Sequence, residues 1–165
     1  MVRPGMAAAD VVIEHPNRDA PASRATRAIV VLLLLVSAVL VAAVTIGGWD
    51  ALTGAKSLQV GFVALYLFMA ALVLRWNRGV LPVAAALALV LLIFAAVAAP
   101  GWFERDKEGF ASTDLDASLL GILTVLIVPV QALLIAFAMQ GFRQAWNVEV
   151  ERRPDGGGAP VPATA

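Results

Sequence analysis

Few side chains in this sequence could do chemistry, and most of them lie outside four long uncharged stretches. The chain has no cysteine and a single histidine, His15. Disulfides, thiolate metal sites and thiol nucleophiles are therefore absent. One histidine cannot supply the intramembrane pair that a bis-histidine haem requires.

Within the uncharged stretches the most polar side chain is Gln131, two positions after Pro129. Proline removes a backbone donor and frees the carbonyl four residues earlier, that of Val125, so a kink is expected there. An amide surrounded by hydrocarbon needs partners. Tyr66 stands at a similar depth in another stretch, with Gln59 two turns away on the same face. Thr124 shares a stripe with Gln131. Gln131, Tyr66, Gln59 and Thr124 are thus the candidate contact residues. They read first as helix-to-helix hydrogen bonds, worth about 1 kcal/mol in membranes, and second as the lining of a ligand or quinone-headgroup site.

The carboxylates cluster between the third and fourth stretches, in Glu104, Asp106, Glu108, Asp114 and Asp116. Paired acids can hold a divalent cation or act as acid and base, and Asp114-x-Asp116 resembles the D-x-D element of metal-dependent sugar transferases. Charges alternating in sign from Glu104 to Glu108, followed by acids at a helix start, account for the same residues without chemistry. No catalytic, cofactor or metal ligand is assigned, and His15 is expected to be solvated.

These residues must be positioned by membrane-spanning helices. The uncharged windows 28–49, 57–74, 79–103 and 117–142 hold 22, 18, 25 and 26 residues, against about 20 for a helix that crosses about 30 Å of hydrocarbon. With charge flanks considered, the spans are predicted at 28–49, 57–76, 80–102 and 117–142. Trp49, Trp76, Trp102 and Trp146 fall near the ends of the four runs, where indole rings settle between acyl chains and headgroups. Hydrophobic residues make up 61% of the 165-residue chain, and the mean hydropathy is +0.85. Too few polar residues remain to cover a soluble core of four such helices. The expected fold is all-α, an antiparallel four-helix transmembrane bundle over 28–149, with unstructured tails at 1–27 and 150–165 rich in proline, glycine and alternating charge.

Lysine and arginine fix the orientation. Nine of the twelve (Arg3, Arg18, Arg24, Arg27, Arg75, Arg78, Arg143, Arg152, Arg153) fall on the side of both termini, and three (Lys56, Arg105, Lys107) on the other. Both termini are expected in the cytoplasm; the abundance of alanine, valine and arginine suggests a high-GC bacterial genome, and the expected location is a bacterial inner membrane. The first stretch reads as a retained anchor, being longer than a signal core of about 7–15 residues and lacking an A-x-A-like cleavage site.

Small residues that let membrane helices approach recur on three predicted faces: Ala84, Ala88, Ala95 and Ala99; Gly61, Ala64 and Ala71; and Ser118, Gly121, Thr124, Gln131 and Ala138. Further local expectations concern ends: Gly79 as a helix C-cap with Pro82 in the next first turn, Thr113 as an N-cap three residues before Asp116, and a fourth helix running on through Arg143–Arg153 with Glu149 paired to Arg153.

A formal net charge of zero gives no basic stripe for nucleic acid. No charged residue lies inside any of the four uncharged windows, which argues against ion and proton pathways. In size and span count the chain resembles small multidrug-resistance transporters, but these rely on an acid in the first helix and this one has none. The leading expectation is a non-catalytic accessory or assembly subunit, partnered by a membrane protein or by its own copies in the lipid bilayer. The alternatives are a small transporter or channel for a neutral or lipid-like ligand at Pro129 and Gln131, and an outward-facing metal-dependent enzyme.

Overall fold

A computed structural model of the chain describes residues 12–152 apart from Asp106, Glu108 and Ala111. Four long helices dominate it: α2 (Pro21–Gly47), α3 (Lys56–Leu74), α4 (Val80–Phe103) and α5 (Ala117–Arg143). Each is long and apolar enough to cross a membrane, and together they form the all-α bundle of an integral membrane protein. A short β1 (Val12–Glu14) and α1 (Pro16–Asp19) precede them, and β2 (Val150–Arg152) follows. β1, α1, β2 and the α3–α4 link lie at one end of the bundle, the tail end; the α2–α3 and α4–α5 loops lie at the other, the loop end.

Apolar attraction does not distinguish a neighbouring helix from lipid, so packing in such a bundle follows side-chain size. Ala84, Ala88, Ala95 and Ala99 of α4 are buried, as are Gly121, Thr124, Gln131 and Ala138 of α5, and α4 and α5 make the most extensive helix pair. The stripe predicted on α3 is different. Ala64 and Ala71 are exposed and Gly61 is half-buried, while α3 buries Phe62, Tyr66, Met69, Ala70 and Val73. The larger side chains win the interior because α3 packs on α2 and approaches α4 only loosely.

Helix ends depart from the sequence expectations in physically readable ways. Gly79 is the N-cap of α4 at φ −61°, and the left-handed residue after α3 is Trp76, at φ 62°. Pro82 falls in the first turn of α4, where its missing N–H is not needed. The N-cap of α5 is Asp116, not Thr113: its carboxylate accepts from Ser118 N (2.9 Å), Leu119 N (3.2 Å) and the Ser118 hydroxyl. The Ser118 hydroxyl, followed by the Leu119 N–H, holds the Asp116 carboxyl below its ordinary value. Both Pro100 and Pro129 are accommodated within continuous helices.

The tail end is more ordered than its composition suggests. α5 stops at Arg143, and the chain turns through Ala145 at φ 48°. Trp146 then folds back into the bundle with no exposed surface. Its ring meets Trp76 edge-to-face at 5.3 Å between centroids, and its Nε1 donates to Gln144 Oε1 at 3.0 Å. Sites that sequence places at the lipid interface are thus partly interior: Trp102 is also buried, while Trp49 remains 44% exposed. The predicted continuation through Arg143–Arg153 fails because burying a whole indole outweighs a few further turns of exposed helix.

The segment before α2 closes over this turn. Asn17 Nδ2 donates to Ala145 O (3.0 Å) and Arg18 Nε to Trp146 O (2.9 Å). His15, expected to be solvated, instead meets Glu149 at 3.3 Å. β1 pairs antiparallel with β2, with Ile13 opposite Glu151. The predicted unstructured tails are therefore folded over 12–27 and 150–152. Residues 1–11 and 153–165, and with them the proposed Arg153 pair, lie outside the described residues.

Candidate functional site

Among the described residues two polar clusters lie between the long helices, and the second of them lines a cavity. The first joins three helices. The Tyr66 hydroxyl on α3 donates to Gln131 Oε1 on α5 at 2.9 Å, and Gln131 Nε2 donates to Ser37 Oγ on α2 at 2.8 Å. Ser37 in turn gives its proton to the Leu33 carbonyl at 2.7 Å. Each group uses its capacity consistently: one hydroxyl proton each, one amide oxygen, one amide nitrogen. Gln131, Tyr66 and Ser37 are fully buried. Among the described residues no buried side-chain nitrogen or oxygen lacks a partner.

Gln59 stands apart from this chain of bonds. Thr45 Oγ1 lies 2.6 Å from the Val41 carbonyl and 2.5 Å from the Gln59 amide. A hydroxyl has one proton, so the Val41 carbonyl and Gln59 Oε1 share it as two acceptors of a single donor. Thr124 likewise spends its proton on the Leu120 carbonyl at 2.8 Å.

Gln59 and Thr124 line a cavity of about 400 Å³ in the loop-end half of the bundle. Val41 and Val44 of α2 and Ile127 of α5 contribute to the interior, and Phe62 of α3 and Leu91, Ala95 and Trp102 of α4 form its buried walls. Leu58 on α3 and Phe94 on α4 also line it and are 50% and 46% exposed. The cavity therefore opens sideways, between α3 and α4. These two helices are braced where Phe62 meets Phe94 edge-to-face at 6.5 Å, and the gap remains above that brace because the small Ala95, Ala98 and Gly101 face it. Trp102 is fixed from behind: a Cβ on Gly48 would lie 2.5 Å from its ring.

Pro129 lies elsewhere, in a shallow groove between α4 and α5 that Glu104 and Phe103 also border. It does not join Gln131 in a common opening. In the α4–α5 loop, Asp116 is committed to its capping role, and no group of three or more candidate metal ligands occurs among the described residues; Asp106 and Glu108 lie outside them. Sequence reasoning missed Ser37 and Thr45, although they are the two hydroxyls of the first span, eight residues apart and hence on nearly one face. Comparison with protein-family models, with curated proteins and with solved structures finds no match.

Proposed function

We propose that this protein is a non-catalytic membrane protein that takes a lipid-like molecule from the bilayer into the cavity between α3 and α4. The observation that carries the reading is the sideways opening of a cavity whose walls are largely apolar, with Gln59, Thr124 and Arg105 as the polar exceptions. A volume of about 400 Å³ falls within the usual range of ligand sites, roughly 300–1,000 Å³. Its lateral mouth suits a ligand already dissolved in lipid. The polar chain through Gln131 acts as a fastener between helices, since both ends of its amide are occupied by Tyr66 and Ser37. The ligand reading therefore belongs to Gln59 and Thr124 and not to Pro129 and Gln131.

The test is organic extraction of protein purified in mild detergent, followed by mass spectrometry. One class of lipid-like molecule enriched over the bulk membrane supports the reading. A bound fraction that simply mirrors bulk lipid, unchanged when Ala98→Phe narrows the mouth, refutes it.

A second reading, an accessory or assembly subunit, is favoured by α3. Gly61, Ala64 and Ala71 form a small-residue face that no helix among the described residues covers, and a Cβ on Gly61 would meet nothing within 4 Å. Such faces admit a close second helix, from another protein or another copy. A stoichiometric partner retained on a C-terminally tagged chain, and lost on Ala64→Leu, supports it; a lone chain with a monomer's native mass counts against it.

For placement we propose a bacterial plasma membrane with both termini cytoplasmic. The support is the excess of arginine at the tail end, Arg18, Arg24, Arg27, Arg75, Arg78 and Arg143 among others, over Lys56, Arg105 and Lys107 at the loop end.

A further inference from the structure

The cavity wall includes one charged residue, Arg105. It lies two positions beyond the end of α4, where hydrocarbon gives way to headgroups. Its guanidinium is 5.1 Å from the Trp102 ring centroid and 5.8 Å from that of Phe110. A guanidinium held against aromatic faces keeps its in-plane N–H donors for a further acceptor. Among the described residues no carboxylate forms an ion pair with it. Its neighbour Glu104 borders the α4–α5 groove on another side of α4.

A chain lying in the apolar cavity would thus end at a cation. We infer that the occupant is an anionic amphiphile, its acyl chain between α3 and α4 and its carboxylate or phosphate on the Arg105 guanidinium. The inference rests on the proposed lipid-binding reading and adds the headgroup chemistry. Carboxylate and phosphate oxygens match the guanidinium fork and accept two parallel hydrogen bonds, which a neutral headgroup does less well.

The experiment uses the full chain in mild-detergent micelles and probes whose acyl chains carry bromine, which quenches a nearby indole. The probes are a brominated fatty acid, the matching fatty alcohol, brominated phosphatidylglycerol and, as its phosphate-free counterpart, brominated diacylglycerol. The signal of Trp102 is isolated as the difference from Trp102→Phe, and Ala98→Phe serves as a second, blocked variant. At least one anionic probe is expected to quench at a concentration about fivefold below its neutral counterpart, the weight of one surface cation. Arg105→Gln is expected to abolish that preference while binding of the neutral probes is unchanged. Which anionic probe is preferred tells a free fatty acid from a membrane phospholipid. Equal midpoints for charged and neutral probes, or a preference that survives Arg105→Gln, overturns the headgroup assignment and leaves the cavity reading standing. No Trp102-specific quenching by any probe, with Ala98→Phe indistinguishable from the parent, overturns both.

Discussion

The Tyr66 hydroxyl and the Gln131 amide meet at 2.9 Å across the interior, joining α3 to α5, and the same amide reaches Ser37 on α2. A double-mutant cycle of Tyr66→Phe and Gln131→Leu is expected to give a coupling of about 0.6 kcal/mol and no more than about 1.7 kcal/mol, the span measured for interhelical hydrogen bonds in membranes. Unfolding in mixed micelles measures it. Lipid binding should survive Gln131→Leu; its loss would return the ligand to the Gln131 region.

Gly48 makes room for Trp102. A methyl group there would sit 2.5 Å from Trp102 Cη2 and 3.0 Å from the Val44 carbonyl. Because that indole is buried, Gly48→Ala is expected to cost about 1–3 kcal/mol as an overpacking change and to shift Trp102 fluorescence. Gly54→Ala, in open space at the same end, is the control and should leave the signal unchanged.

Trp146 anchors the turn that carries β2 back to β1. Trp146→Ala empties a fully buried site and is expected to cost about 3–5 kcal/mol, the usual range for removing a core aromatic ring. Hydrogen exchange should report the loss locally, with faster exchange over residues 12–20 and 144–152 and little change in the centre of α5.

Asp116 gives α5 a pH-dependent start. Its folded pKa lies below the ordinary 3.8, because the Ser118 hydroxyl and Leu119 N–H bind the carboxylate form. The stability it contributes is therefore fully present above the ordinary value and is lost as pH falls through the lower folded value. Asp116→Asn is expected to flatten the acid limb of a stability profile while keeping the cap; an unaltered limb would show that other carboxylates govern it.

Orientation is testable because the chain has no cysteine. A single cysteine introduced at Ser112 should react with an impermeant maleimide in intact cells, and one at Asn77 only after permeabilisation. The opposite pattern would overturn the charge argument.

Much of this arrangement is legible in the sequence because each legible feature is local or periodic. Four uncharged windows locate α2 to α5 to within a few residues at most ends, and the alanine repeat of α4 points to its buried face. A shared depth in the bilayer pairs Tyr66 with Gln131 from the sequence alone. The tail end is not legible: Arg18 bonds the Trp146 carbonyl across 128 positions, and no repeat links those residues. That long-range closure also lengthens α2 back to Pro21, seven residues ahead of the charge-free window. The small face of α3 misleads because an alanine stripe is equally suited to a neighbour and to lipid. The cavity is hidden for a further reason. It arises from what α3 and α4 do not fill together, and neither helix encodes it alone.

Native mass spectrometry from mild detergent reads out the proposed lipid-like occupant of the cleft between α3 and α4 in a single step. One lipid-mass adduct per chain is expected, persisting at activation energies that strip bulk lipid and disappearing in Ala98→Phe while the folded charge-state distribution is kept. A bare chain, or an adduct equally tenacious in Ala98→Phe, would contradict it.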